Sequence, residues 1–247
     1  MAGFWKSVNN VIMQADILLL VMDARFIAET RNREIEDKAI KSGKPLIYVI
    51  NKIDLGSAKG MSDAKKAMNP CVMVSTKRRK GVSGLKARIM IEAKRFTRKR
   101  GKIRVGVLGY PNVGKSSLIN MMKGRKSTQT SPLSCRTKTK QIVKTSSRLY
   151  FIDTPGVKPY FEKDQFKFMF TNVTDYSKIK NPETMSERLM EKFPGKIEQF
   201  YGVPVNDDKM ETLEAIAVKK HALKKGGHPD TRRMAVTIIM NWQKGKL

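Results

Sequence analysis

The chain has 247 residues, 40% of them hydrophobic, which is enough for one large domain or two small domains with a buried core. Its 50 Lys and Arg residues outnumber 22 Asp and Glu residues and give a formal net charge of +28. A charge so one-sided is unusual for an enzyme with a small-molecule substrate and favours nucleic acid as a partner, with a membrane surface as the alternative. The two cysteines, Cys71 and Cys135, do not suggest a disulfide framework, and no Cys/His cluster has metal-ligand spacing. No apolar run is long enough to span a bilayer.

The N-terminal third of the chain predicts helices that alternate with buried strands. Apolar residues recur at helical spacing near the N-terminus, and a nearly continuous apolar run follows, which is typical of a parallel strand covered on both faces. Gly43 closes the next helix. The predicted order is helix 3–15, strand 16–23, helix 32–42, strand 46–50, strand 71–74 and helix 82–96.

Polar side chains follow the second and third predicted strands. A fixed carboxylate at Asp54 can accept hydrogen bonds from the ring N1–H and the exocyclic amine of guanine together, whereas adenine lacks this donor pair. Asn51 can bond the base edge and brace a phosphate loop, and the stem of Lys52 can lie along the base. A surface turn is the alternative for this motif alone. Ser75, Thr76 and Lys77 resemble the Ser-Ala-Lys loop whose backbone contacts guanine O6. The predicted guanine-binding residues are Asn51, Lys52, Asp54, Ser75, Thr76 and Lys77.

The most basic tract covers residues 77–104, with thirteen Lys and Arg residues and one acid, Glu92. A run of charge is usually a solvated face, but an imbalance of this size favours a surface that faces a polyanion. The RNA-binding candidates here are Arg78, Arg79, Lys80, Arg95, Arg98, Lys99 and Arg100.

Residues 109–116 have the spacing G-x-x-x-x-G-K-S between an apolar β-branched run and a helix-compatible run. This context predicts a phosphate-binding P-loop, with a chance match as the alternative. Lys115 would reach the β- and γ-phosphates, and the Ser116 hydroxyl would bind Mg²⁺. The predicted phosphate-binding residues are Pro111, Asn112, Val113, Gly114, Lys115, Ser116 and Ser117.

A polar loop is predicted over residues 124–139, followed by a hairpin of strands 139–145 and 148–152. Asp153, at the end of the second strand, can hold Mg²⁺ through water, and the Gly156 N–H can reach the γ-phosphate. A second hydroxyl near Mg²⁺ is assigned to Thr137 in the polar loop. Its rivals are Thr128, Thr130 and Thr139.

A small all-helical domain is predicted over residues 183–247, after a linker over 161–182. Asn181-Pro182-Glu183 is a helix start, a second helix is predicted over 208–225, and a third begins after Asp230. The basic residues of this domain are RNA-binding candidates: Lys219, Lys220, Lys224, Lys225, Arg232 and Arg233.

These motifs are those of a Ras-like GTPase, but the guanine motifs precede the P-loop, as a circular permutation would arrange them. Nearly end to end, including Asp23-Ala24-Arg25 and the segment 226–230, the chain resembles the circularly permuted ribosome-assembly GTPases of the YlqF/RbgA type. The resemblance implies an α/β fold, with a permuted Ras-like GTPase domain over 1–160, a switch-derived linker over 161–182 and a basic helical RNA-binding domain over 183–247. It implies hydrolysis of GTP to GDP with Mg²⁺, and the large-ribosomal-subunit precursor and its rRNA as partners. We expect a cytoplasmic monomer without a membrane span.

Hydrolysis needs an oriented water molecule and stabilisation of charge. Val157 stands where many GTPases have glutamine, and no histidine precedes His221. Asn112 resembles the asparagine that binds K⁺ in potassium-stimulated GTPases, although it also suits a turn. The predicted catalytic residues are Lys115, Gly156 and Asn112, with turnover that is slow unless a partner stimulates it. The alternatives are an RNA-binding scaffold that binds GTP with negligible hydrolysis, and a regulatory GTPase unrelated to the ribosome.

Overall fold

The computed structural model describes residues 2–96, 101–124, 141–159 and 162–247. The chain divides into a first unit that ends at Glu162 and a second that begins at Lys163. Residues 163–182, which the sequence assigns to a linker, therefore belong to the second unit. No described helix is long and apolar enough to cross a membrane.

Within the described part of the chain, the first unit holds a sheet of six strands in the order β3-β2-β1-β4-β6-β5. All neighbouring strands are parallel except β5, which pairs with β6 in an antiparallel hairpin. The predicted α/β fold with a mostly parallel sheet is thus confirmed. The strands are β1 (Ile17–Asp23), β2 (Leu46–Asn51), β3 (Cys71–Met73), β4 (Ile103–Gly109), β5 (Gln141–Lys144) and β6 (Leu149–Asp153).

Helices of the first unit cover the sheet and complete its core. Alternate β1 residues Leu18, Leu20 and Met22 pack in one cluster with buried side chains of α1, α3 and α4. The intervening β1 residues are equally buried, which explains why β1 is continuously apolar. The helices are α1 (Ala2–Gln14), α2 (Ile27–Thr30), α3 (Arg33–Lys41), α4 (Ala58–Ala67), α5 (Val82–Phe96) and α6 (Lys115–Lys123).

Strand register brings the polar ends of the parallel strands together. The last residue of β1, Asp23, pairs with the last residue of β2, Asn51. On the other side of β1, Val21 pairs with Gly109 at the end of β4, and Val107 of β4 pairs with Asp153 at the end of β6. The carboxyl ends of these four strands therefore share one edge, where open α/β sheets bind their ligands.

The second unit is helical. Its helices α8, α10 and α11 bury apolar side chains such as Leu189, Ile216 and Trp242, and the Trp242 Nε1–H donates to the Phe170 carbonyl at 3.0 Å. The helices are α7 (Gln165–Phe170), α8 (Pro182–Lys192), α9 (Lys196–Tyr201), α10 (Lys209–Lys219) and α11 (Thr231–Gln243), with a 3-10 turn at Tyr176–Lys178.

Two predicted helix ends differ from the structure. Helix α10 stops at Lys219 instead of residue 225, because the chain then turns through a short bridge between Leu223 and Pro229. Asn181 precedes α8 but its side chain makes no capping hydrogen bond, so Pro182 at the first position is what starts that helix. Asp230 caps α11 as predicted and accepts from the Arg233 N–H.

Candidate nucleotide site

The P-loop joins β4 to α6, as predicted. Gly109 and Gly114 both lie at positive φ, +144° and +96°, in conformations that side chains disfavour. A Cβ atom on Gly109 would overlap the Val21 carbonyl oxygen, and one on Gly114 would overlap the Asn51 amide nitrogen. Glycine is therefore required twice, once for the close approach to β1 and once for the close approach to the residue that ends β2.

Lys115 opens α6 with its ammonium group directed into the loop. Its side chain is 6% exposed, and Nζ donates to the carbonyl oxygens of Gly109 at 3.1 Å and Tyr110 at 2.8 Å. Burial lowers the pKa of this amine to about 8, although the charge of Asp153 acts in the opposite direction. A second anion at this position, such as a phosphate, would offset the cost of burying the charge.

Ser116 and Asp153 meet where α6 begins and β6 ends. The Ser116 hydroxyl donates to Asp153 Oδ2 at 2.7 Å, and Asp153 is 5% exposed. One hydroxyl and one carboxylate suit Mg²⁺, which keeps several waters and takes its other ligands from phosphates. Thr137 and its rivals Thr128, Thr130 and Thr139 lie outside the described residues, so the second threonine stays a prediction.

The segment after β6 lies against the P-loop. A Cβ atom on Gly156 would stand 3.0 Å from Lys115 Nζ and clash with the Pro111 backbone, so the Gly156 backbone borders the place where Lys115 points. Val157 is 4% exposed and its carbonyl accepts from Asn32 Nδ2 at 3.0 Å. Val157 is thus part of the core.

Asn51 connects the P-loop with the loop after β3. Its Nδ2 donates to the Val113 carbonyl at 2.9 Å, and its Oδ1 accepts from the Thr76 N–H at 3.2 Å. The residue is completely buried. Backbone groups of the protein occupy both ends of the amide, so the structure places Asn51 as the brace that the sequence predicted.

Asp54 is held by the loop after β3. The buried Ser75 hydroxyl donates to Asp54 Oδ1 at 2.5 Å and accepts from the Arg78 N–H at 3.0 Å. Ser75 and Lys80 also exchange backbone hydrogen bonds, which closes a tight loop around Thr76 and Lys77. The predicted guanine residues therefore lie on two loops that are tied to each other.

An ion-pair cluster at the same edge was not predicted. Lys52 Nζ lies 2.7 Å from Asp23 Oδ2 and donates to the Asn112 carbonyl at 2.9 Å. Arg25 donates to Asp23 through Nε at 3.1 Å and Nη2 at 2.8 Å. Burial raises the pKa of Asp23, but hydrogen bonds from Arg25 and the charge of Lys52 outweigh it and lower the pKa below its ordinary value. Asp23 ends β1 and Lys52 follows β2, so the register of these two strands brings the partners together.

A second unpredicted contact involves Tyr110, the first variable residue of the P-loop. Its ring is completely buried, and its hydroxyl donates to Glu162 Oε2 at 2.6 Å. The contact connects Tyr110 of the P-loop with the last residue of the first unit.

The RNA-binding candidates lie on exposed positions where the structure describes them. Arg78, Arg79 and Lys80 are exposed on the loop that holds Asp54, and Arg95 is exposed in the last turn of α5. Arg98, Lys99 and Arg100 lie outside the described residues. The remaining candidates are exposed in the second unit: Lys219, Lys220, Lys224, Lys225, Arg232 and Arg233.

Comparison with known proteins agrees with this geometry. A family described as "50S ribosome-binding GTPase" matches residues 104–191. The chain is 37% identical to an uncharacterized GTP-binding protein of Methanocaldococcus jannaschii, over 98% of this chain and 65% of that protein. It is 32% identical to nucleolar GTP-binding protein 2 of Neurospora crassa, over 98% of this chain and 40% of that protein. The chain therefore spans less than two thirds of the length of these curated relatives.

Solved structures show the same fold. YlqF of Thermotoga maritima, in a nucleotide-bound crystal structure, superposes with a TM-score of 0.66 at 23% identity. The match covers 98% of this chain and 94% of that one. A GDP-bound YlqF structure gives a TM-score of 0.67, also at 23% identity, over 97% and 94% of the two chains.

Proposed function

We propose that the chain is a circularly permuted P-loop GTPase, which binds and hydrolyses GTP while it acts on a large-ribosomal-subunit precursor. The observation that carries the proposal is Asn51, which bonds the P-loop at Val113 and the guanine loop at Thr76. A single buried side chain thus sets the distance between a phosphate cradle and a carboxylate, Asp54, that suits guanine.

Phosphate binding follows from the loop and the helix behind it. In a glycine loop that leads into a helix, backbone N–H groups of the loop and of the first helical turn can donate to a bound phosphate, and the helix dipole adds to their field. The residues proposed to form this phosphate site are Asn112, Val113, Gly114, Lys115, Ser116 and Ser117, together with Pro111, which has no N–H group to donate.

Ser116 and Asp153 are proposed to hold Mg²⁺, which would neutralise charge on the β- and γ-phosphates. The hydroxyl of Ser116 donates its hydrogen to Asp153, so a lone pair of the same oxygen can bind a cation without breaking this bond. Gly156 is proposed to sense the γ-phosphate through its N–H group. These are the features that the site offers for charge stabilisation.

Val157 stands at the position where many GTPases have the glutamine that orients the attacking water. Val157 is buried in the core and carries no polar group, so it cannot orient the attacking water. Asn112 is an exposed residue of the loop with φ +59°, and its carboxamide is proposed to help bind K⁺ near the β–γ bridge. We therefore propose slow turnover that a ribosomal particle and K⁺ both accelerate.

The ribosomal partner is supported by the charge of +28, by the exposed basic residues and by the ribosomal and nucleolar descriptions of the similar proteins. Residues 157–162 join the proposed γ-phosphate sensor to the basic second unit. We propose that the nucleotide state thereby changes the affinity for rRNA, and linkage then requires rRNA to change GTP affinity by the same factor. The cytoplasmic location and the monomeric state stay predictions.

The first test measures GTP hydrolysis with and without large-subunit precursor particles, in K⁺ and in Na⁺. We expect stimulation by the particle and a faster rate in K⁺. Unstimulated, negligible turnover would instead favour the RNA-binding scaffold, and equal rates in the two salts would remove the K⁺ role of Asn112.

The second test measures particle binding with a non-hydrolysable GTP analogue, with GDP and without nucleotide, at two salt concentrations. Tight binding with the analogue, which weakens steeply with salt, is expected because phosphate contacts release counterions. Equal affinity in all three nucleotide states would refute the coupling. An affinity indifferent to salt would refute contact through the basic surfaces, and no affinity for the particle would favour a regulatory GTPase.

A further inference from the structure

The second unit contains a cavity whose lining residues all belong to that unit. It has a volume of about 360 Å³ and lies among α9, α10 and α11. This is near the lower end of the range for small-ligand sites, so it suits one flat ring system with its attached sugar better than a larger ligand. Phe200, Tyr201, Lys220, Arg233 and Asn241 are among the residues that line it.

An exposed aromatic ring marks the cavity. Phe200 is 48% exposed, although Tyr201 beside it is only 5% exposed. The two rings meet at 81° with their centroids 5.0 Å apart, so Tyr201 supports Phe200 while nearly half of Phe200 stays in contact with solvent. An aromatic ring that is held in place and open on one side is the kind of platform on which a nucleobase stacks.

The charge of the cavity is positive. Lys220 lies with Nζ 5.7 Å from the centre of the Tyr201 ring, and Arg233 is exposed on α11. The residues that line the cavity include no acid. Lys219, Lys224 and Arg232 are also exposed on this unit and add to its positive field.

Polar groups in the cavity could read a base edge. Asn241 Nδ2 donates to the Tyr201 hydroxyl oxygen at 2.9 Å. This bond uses one amide hydrogen and one lone pair, and it leaves the phenolic hydrogen as a donor and the Asn241 amide oxygen as an acceptor. A donor and an acceptor side by side match the edge of a nucleobase and have no counterpart in a plain phosphate site.

We propose that this cavity binds an unpaired nucleotide of RNA, with the base stacked on Phe200 and its phosphate near Lys220 and Arg233. The inference rests on the proposed function, because RNA is the polyanion of that function. An unpaired nucleotide is favoured over a duplex because a concave cavity admits a base only when the base has left its stack. An acidic peptide would satisfy the two cations but would make no use of the Phe200 ring.

The test compares full-length Phe200→Ala and Phe200→Tyr with the wild type. The probe is a short single-stranded RNA of mixed sequence that carries a fluorescent 2-aminopurine. Loss of the platform should weaken binding by about five-fold to about 150-fold and relieve the quenching of the probe, since stacking contributes about 1–3 kcal/mol per base. Phe200→Tyr keeps the ring and should stay within about two-fold of the wild type. Val205→Ala is the matched control, because Val205 is also exposed, at 61%, and does not line the cavity.

Three outcomes would overturn the inference. Phe200→Ala could bind the single strand as tightly as the wild type, or lose affinity for the same RNA in a duplex by an equal factor. Phe200→Ala could also weaken the binding of a poly-aspartate peptide more than that of RNA, which would identify an acidic peptide as the ligand. These results are distinct from failure of the proposed function, in which the wild-type protein itself would show no salt-dependent affinity for RNA.

Discussion

Nucleotide affinity should fall as the pH rises through the pKa of Lys115. Burial lowers that pKa from its ordinary 10.5 to about 8 in the protein without nucleotide, and among the described residues the ammonium donates to two carbonyl oxygens. A phosphate that contacts Nζ favours the charged form, so the pKa should rise again on binding. Nucleotide binding should therefore be accompanied by proton uptake at any pH at which Lys115 of the free protein is deprotonated.

The size of the effect follows from the pKa. At pH 9 an amine with a pKa of about 8 is protonated in roughly one molecule in ten, so GDP affinity should fall about ten-fold between pH 7 and pH 9. At pH 8, binding should take up about half a proton per nucleotide. Calorimetry in two buffers of different ionisation enthalpy measures this uptake directly. The stability of the nucleotide-free protein should move in the opposite direction. Burying the charged amine lowers the free energy of unfolding by about 3 kcal/mol below pH 8. This destabilisation should disappear progressively as the pH rises from about 8 to about 10.5, because the folded protein loses the proton before the unfolded chain does.

Lys115→Met is the comparison that isolates the effect, because guanine N1–H and other groups also titrate at high pH. The variant should bind more weakly at every pH but lose the additional slope. Parallel slopes for the two proteins, or no proton uptake by the wild type at pH 8, would refute the assignment of Lys115 to the phosphates.

Three further substitutions test other contacts. Asp54→Asn should weaken GTP binding and favour xanthosine triphosphate, whose base presents an acceptor where guanine presents an amine; unchanged GTP affinity would contradict the role of Asp54. Asn51→Ala leaves the buried Val113 carbonyl without its donor, so it should lower the free energy of unfolding by about 1–3 kcal/mol and weaken GDP binding. Denaturant unfolding measures the first effect against wild type, and nucleotide titration measures the second. Glu198→Met should raise the thermal midpoint, because Glu198 is completely buried and neither carboxylate oxygen has a hydrogen-bond partner among the described residues. The exposed neighbour Gln199→Met is its control, and a Glu198→Met protein that melts earlier would show that the carboxylate has a partner.

The parts of the site that depend on short spacing could be predicted from the sequence. The P-loop needs glycine at two fixed positions before Lys115, and the short N-K-x-D spacing places Asp54 three residues after Asn51. Buried parallel strands were equally readable, because β1 and β2 are continuously apolar. Helix α4 was missed, since only Ala64 of its ten residues is buried and Gly60 stands in its first turn.

Contacts between distant residues could be predicted less well. Asp23 and Lys52 are separated by 29 residues, and only the register of β1 against β2 brings them together. Tyr110 and Glu162 are separated by 52, and nothing in the local pattern of either residue indicates a partner. Helix α7 was not predicted for a related reason: Phe166 and Phe170 lie in a segment too short to show helical periodicity, and their burial depends on packing within the unit.

The place of β1 in the sheet has a consequence for how the protein is made. β1 lies between β2 and β4, but β2 begins at residue 46 and β4 only at residue 103. A nascent chain that has been translated as far as α5 thus contains β1 with one neighbour, and the N–H and C=O groups of its other edge are unpaired. The guanine loops are already made at that stage and the P-loop is not, so nucleotide cannot stabilise the intermediate by binding. The open edge of β1 is consequently the surface through which an interrupted or slowly translated chain should aggregate.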